Sequence, residues 1–401
     1  MSILVFNAGS SSLKFGLFDA HATAALASGQ IDWASGDRRR AKLTLDLAAG
    51  TPLRGEVDVP GDGDAARAAI AALERAERKS WDRIAVVGHR VVHGGTEMAR
   101  HTRIDDRVAQ AIERLADLAP LHNPPSLEAI RAAQAALPDA VQVAVFDTAF
   151  YAAMPPRACV YPLPYSWYEG WGIRRYGFHG ISQAYCVQRA AELLGRDLAG
   201  LRIVSCHLGG GCSAAAIRDG QPVATSMGFT PMEGLMMGTR SGTVDPGILL
   251  HVQRQHGLSV QQIDDALNLE SGLWGVSGVS PDMARVEEAA EAGNTRARLA
   301  VELFADRVRA AIGALAVTMG GLDVLIFTDR VGCGSPAVRA AVCDGLQCLG
   351  VRLDADRNQT CRPDMDVAAK DSAVRFLVIH TREELMIARE AAAIARAEGA
   401  R

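Results

Sequence analysis

The chain has 401 residues, 49% hydrophobic and 22% charged, with a formal net charge of −4. That length exceeds what one core supports and predicts two domains of ordinary globular composition. The mild acidity, with no basic block beyond Arg38-Arg39-Arg40, argues against a nucleic-acid surface, and no run approaches the roughly 20 apolar residues of a membrane span.

In chain order, the first element is the most informative. Ile3-Leu4-Val5-Phe6 and Leu13-Lys14-Phe15-Gly16-Leu17-Phe18 read as strands around Asn7-Ala8-Gly9-Ser10-Ser11-Ser12. A loop of such small residues lets backbone N–H groups surround an anion, while hydroxyls and an ammonium add donors. Its order is neither that of a P-loop nor that of a dinucleotide-binding turn. A plain Gly/Ser turn between two strands is the competing reading of this segment alone. The chain opens directly into a strand, without a secretory leader, and its eight cysteines include no CxxC pair. These features predict reduced thiols and a cytoplasmic location.

Ala-rich stretches at 63–79, 105–118 and 126–136 have helical composition, whereas Ile84–Val87 and Val141–Phe146 are short and β-branched; the alternation predicts an α/β protein. Prolines near Tyr151–Pro156 place a boundary, giving a first domain at 1–150 and a second at 151–385, with a terminal helix (386–401) packing back on the first. Leu201–Cys206, His207–Ser213 and Ala214–Gly220 repeat the strand, small-residue loop, strand pattern. Val324–Thr328 running into Asp329–Ser335 is a third strand-to-loop element. Two glycine-rich hairpins half a chain apart predict a duplicated domain, a phosphate loop on each half, and a nucleotide in a cleft between two lobes.

Polar side chains gather at strand ends and in glycine-rich turns: Arg90 in Gly88–Gly95, Asp147 after Phe146, His179 in Tyr176–Gly180, Arg240 in Gly238–Gly242. Each alone is commonplace. Together, two cations, a histidine and an aspartate beside phosphate loops suit phosphoryl transfer, whose transition state spreads negative charge over equatorial oxygens. A carboxylate acceptor needs no general base, only relief from repulsion by the phosphates, which arginines provide; a hydroxyl acceptor would call for a base.

The motifs Asn7–Lys14, His89–Gly95, Phe146–Phe150, Tyr176–Gly180, Thr225–Pro231, Gly238–Gly242 and Glu383–Arg389 resemble, in order, those of the acetate kinase family. The resemblance implies a two-lobed, duplicated ribonuclease H-like fold shared with actin and sugar kinases. It also implies acetate and ATP as substrates, Mg²⁺ (Mn²⁺ could substitute) and a homodimer. By it, Asn7 and Glu383 would hold the metal, and Ser10, Ser12 and Lys14 would line the phosphate path. Arg90 and Arg240 would grip the carboxylate and the phosphoryl in flight, His179 would donate to that phosphoryl, Asp147 would orient the site, and His122 would add a hydrogen bond. Val92, Leu121, Phe178 and Pro231 would form an apolar wall around the acetate methyl, although ordinary core packing also accounts for them. One methylene is worth only about 1–3 kcal/mol, so propionate is a second acceptor to consider.

His207, Gly209, Gly210 and Gly211, with Asp282, Arg330 and Gly332, would meet the nucleotide. Here the chain departs from the family. Gly210 stands where an asparagine is usual, and Asp329-Arg330 stands in a run that is ordinarily Ala-Gly. Arg330 is expected to fill space that a nucleoside needs, since glycine permits close approach. Pyrophosphate as donor, or a non-catalytic nucleotide-binding relative, are therefore the alternatives.

Overall fold

The computed structural model describes residues 2–9, 11–33, 38–76 and 84–399. The chain divides into two compact units, Met1–Ala152 with Arg382–Arg401, and Ala153–Thr381.

The first unit holds β1 (Ser2–Ala8), β2 (Ser12–Asp19), β3 (Ala25–Asp32), β4 (Ala41–Leu47), β5 (Leu53–Val57), β6 (Ile84–Val91), β7 (Thr102–Arg103) and β8 (Val141–Phe146). They form one sheet in the order β5-β4-β3-β2-β1-β6-β8-β7. β1 is buried along its whole length, as its unbroken apolar run requires of a strand covered on both faces. It pairs antiparallel with β2 and parallel with β6, which in turn pairs parallel with β8. Their carboxyl ends therefore lie side by side, where open α/β sheets collect ligands.

The second unit holds β9 (Arg202–Leu208), β10 (Cys212–Arg218), β11 (Gln221–Thr225), β12 (Val324–Thr328), β13 (Met365–Asp366) and β14 (Arg375–Ile379), in the order β11-β10-β9-β12-β14-β13. The plan of the first sheet recurs. Three antiparallel strands lead into two parallel ones, and a short antiparallel strand closes the edge. The expected α/β class and the duplication are both present in this topology.

Three segments differ from the sequence reading. The helix Glu383–Gly399 begins before residue 386 and belongs to the first unit, so the second unit ends at Thr381 and not at 385. Gly88 explains the attachment: a Cβ there would lie 2.8 Å from Ile387 Cγ2, so the strand accepts the helix only because it lacks a side chain. Asp329–Gly334, expected as a loop, is a short helix. The buried Arg339 guanidinium holds it by donating to the carbonyls of Gly332 and Cys333 at 3.0 and 2.8 Å. The helix over 105–118 gives way after Arg114 to a tighter turn at Leu115–Leu118.

Candidate active site

In the first unit, β1, β6 and β8 deliver Asn7, Arg90 and Asp147 to adjacent strand ends. Arg90 Nε and Nη2 donate to Asp147 Oδ2 at 3.1 and 2.7 Å, and Nη1 donates to Asn7 Oδ1 at 3.1 Å. Asn7 Nδ2 donates to Glu383 Oε2 and Glu384 Oε1, both at 3.0 Å. Burial opposes the Arg90 charge, but Asp147, followed by Glu383 and Glu384, outweighs it and holds its pKa above the ordinary arginine range. The result is a fixed cation wrapped by carboxylates. Glu384 has no counterpart in the sequence reading; its only local signal is a second acid at the start of a helix, where acids suit the dipole.

The other expected residues of this unit are less gathered. Ser12 closes the first loop by accepting from Gly9 N at 2.8 Å through its carbonyl, whereas Lys14 is exposed on β2. Ser10 lies outside the described residues. His122 precedes the helix Asn123–Ala136, with its carbonyl accepting from Ser126 Oγ at 3.0 Å. The neighbouring Asn123, missed in the sequence, is fully buried and bonds to both N and O of His93 at 3.1 Å, fixing the turn after β6. Val92 is buried, but Leu121 is 50% exposed. Leu121 stands in the turn before a helix, with about half of its surface open to solvent.

In the second unit, three consecutive glycines after β9 form a platform. A Cβ built on Gly211 would lie 3.1 Å from Arg240 Nη2 and 3.2 Å from His179 Nε2; one built on Gly210 would meet nothing within 4 Å. His179 caps the helix Gly180–Leu194 in a left-handed conformation (φ +58°) and bonds through Nδ1 to Ser213 Oγ at 2.9 Å. Its ring stacks on His207 with centroids 4.1 Å apart, and His207 Nδ1 meets Ser182 Oγ at 2.9 Å. Both serines were missed in the sequence. Serine near histidine is too common in a chain to mark a partner.

Arg240 Nη1 donates to Pro231 O at 2.7 Å, and no carboxylate pairs with it among the described residues. Burial lowers its pKa below the usual arginine value, although a guanidinium stays charged throughout. Pro231 thus contributes its carbonyl to the site, while Phe178 is buried. The loop bearing Pro231 is braced by Arg175, which donates to Glu233 Oε1 at 2.6 Å and to Ser226 O and Met227 O; Tyr161 bonds to the same glutamate.

Asp282 and Arg330 meet each other: Asp282 Oδ2 is 2.7 Å from Arg330 Nη1, with the arginine side chain 63% exposed. Gly332 is buried against Phe327, its carbonyl taken by Arg339.

Residues 2–389 match the acetokinase family model. A protein named acetate kinase from Cyanothece sp. is 49% identical over 399 residues, 97% of this chain and 97% of its own. The crystal structure of Porphyromonas gingivalis acetate kinase is 39% identical with a TM-score of 0.89, covering 98% of this chain and 99% of its own. A propionate kinase structure from Francisella tularensis subsp. tularensis SCHU S4 has the same TM-score at 36% identity, with coverages of 97% and 98%. A family-model match over residues 2–389 and likeness of this extent make the chain a member of the acetokinase family.

Proposed function

We propose that this protein transfers the terminal phosphoryl group of ATP to acetate, reversibly, giving acetyl phosphate and ADP. One observation carries the reading more than any other: Arg240 is a largely desolvated cation held beside His179 at the glycine platform, with no carboxylate paired to it among the described residues. Such a group favours an incoming anion more strongly than it would in water.

In the proposed step an acetate oxygen attacks the terminal phosphorus as the bond to the bridging oxygen breaks. The electron pair leaves with ADP and no proton is transferred. Asp147 is committed to Arg90 by two hydrogen bonds, which suits an orienting group and not a base. Arg90 and Arg240 would counter charge on the carboxylate and the phosphoryl oxygens, and His179 would donate to the phosphoryl. The Glu383 and Glu384 carboxylates, held together by the Asn7 amide nitrogen, are hard oxygen donors of the kind Mg²⁺ or Mn²⁺ takes. Mg²⁺ is commonly held by one or two carboxylates together with substrate phosphates, so these side chains fit. When bound, the cation would neutralise phosphate charge.

Acetyl hydroxamate formation tests the reading. Purified protein should produce it from acetate and ATP, and Arg240→Ala should abolish most of it; undiminished activity in that variant would sink the assignment. Propionate is a second acceptor to consider, because one methylene is worth only about 1–3 kcal/mol of discrimination, and competition between the two acids measures it.

We further propose a homodimer in the cytoplasm. The helices Pro246–His256 and Val260–Asn268 contain no buried residue, yet carry Ile248, Leu250 and Val260 at 52%, 51% and 75% exposure; a second copy would cover them. All eight cysteines are free thiols, as a reducing compartment would keep them. No described helix is long and apolar enough to cross a membrane.

A further inference from the structure

The glycine platform has unlike ends. At Gly211 stand Arg240 and His179. At Gly209 stands Asp329: a Cβ on that glycine would fall 1.7 Å from Asp329 Oδ2 and 2.8 Å from its Cγ. The carboxylate therefore occupies the space a side chain at 209 would take, with Oδ2 3.3 Å from His207 Nε2. Between the two ends, Gly210 is open.

This placement is enforced. Asp329 adopts φ +64°, a left-handed conformation that aspartate tolerates better than most residues. Immediately downstream, Arg339 holds the Gly332 and Cys333 carbonyls. The neighbouring Arg330 guanidinium is paired with Asp282, and the Asp329 carboxylate itself lies against His207. The field of Asp329 reaches both sides of the platform. Behind burial, it helps push the thiols of Cys212 and Cys333 up to about 12.

We propose that Asp329 is a donor-selecting residue, whose carboxylate at Gly209 weakens binding of a donor in proportion to the negative charge of its phosphates. The inference rests on the reading that this platform receives donor phosphates. An anion at Gly210 is drawn to Arg240 on one side and repelled by Asp329 on the other. A chain of several phosphates along the platform meets the repulsion more than once, whereas an uncharged nucleoside does not meet it.

The test is a binding series on the full chain with adenosine, AMP, ADP and ATP, with and without Mg²⁺, at fixed ionic strength. Wild type is compared with Asp329→Asn, which keeps the shape, and Asp329→Gly, which suits the left-handed backbone. Both variants should leave adenosine affinity within about twofold and tighten ATP about tenfold without Mg²⁺, the scale of one like-charge contact screened nearly as in water. The gain should run ATP, ADP, AMP in descending order and shrink in high salt. In turnover the Michaelis constant for ATP should fall while that for acetate holds.

Equal tightening of adenosine would show that the side chain acts by bulk, and the inference would fail. Weaker ATP binding in Asp329→Asn, with or without Mg²⁺, would show that the carboxylate assists the donor, and would also overturn it. Acetyl phosphate production by wild type, assayed alongside, judges the underlying reading separately. Turnover without the charge-ordered series removes the role of Asp329 alone; failure of every form to make acetyl phosphate removes the phosphotransferase reading, while the binding series still decides what Asp329 does.

Discussion

Arg90 and Arg240 are chemically the same group in opposite surroundings. Arg90 ends a parallel strand and is bound by Asp147 and Asn7, with two helix-start glutamates bonded to that asparagine. Arg240 sits in a loop and, among the described residues, donates to the Pro231 carbonyl. The first arginine is part of the structure before any ligand arrives; the second is a charge set in place with its counter-ion still to come. The pair thus separates two contributions that are usually entangled, holding a site together and stabilising charge that develops in it.

The sharpest way to break this contrast is to remove each cation and measure both folding and activity. Arg240→Ala should lower kcat/KM for acetyl phosphate formation by about 10²–10³, the cost of one preorganised donor to the transition state, with a nearly unchanged melting temperature. Arg90→Ala should lose activity and also stability, by about 3–5 kcal/mol, because it strands the fully buried Asp147 carboxylate without its cation. Denaturant titrations of the two variants check this. Equal destabilisation would erase the distinction drawn here.

Acid should act on the first unit. Burial pushes the pKa of His89, on the same strand as Arg90, down to about 4, partly offset by its hydrogen bond to Gln142. The folded protein then binds fewer protons than the unfolded chain between about pH 6.5 and 4. The contribution to stability is full above that window and is lost as pH falls through it, by about 3 kcal/mol. Urea midpoints measured from pH 7.5 to 5 should decline, and His89→Leu should flatten the slope; a slope unchanged in that variant would assign the titration elsewhere.

Next in size is Gly88→Ala. Its added methyl meets Ile387 at 2.8 Å and Ala391 at 3.1 Å, and overpacking of this kind costs about 1–3 kcal/mol. Because the same helix begins with Glu383 and Glu384, the variant should also raise the Mg²⁺ concentration needed for half-maximal activity. A stability loss without that shift would uncouple the helix from the proposed metal site.

These cases also show what the sequence could disclose. The two hairpins and their small-residue loops are local, so their recurrence predicted a duplication before any coordinates. Arg90 and Asp147 were findable because each ends a β-branched run. The bonds from Asn7 to Glu383 and Glu384 span 376 and 377 positions, and nothing local announces a partner that distant. Asp329 lay within a segment already marked as unusual. Only the backbone angle there, set by long-range packing, turns its carboxylate onto a glycine 120 residues earlier.

The smallest effect belongs to Arg330. Its guanidinium is largely in solvent and engaged by Asp282. An exposed pair of this kind is worth about 0–1 kcal/mol and is screened by salt. Arg330→Ala should therefore leave the melting temperature almost unmoved, and at high salt indistinguishable from wild type. If it instead costs as much stability as Arg90→Ala, the number of contacts would not be what separates a structural arginine from a surface one. If it changes adenosine affinity tenfold, the side chain reaches the base after all, and the neighbouring Asp329 would be one of two residues deciding which donor this protein accepts.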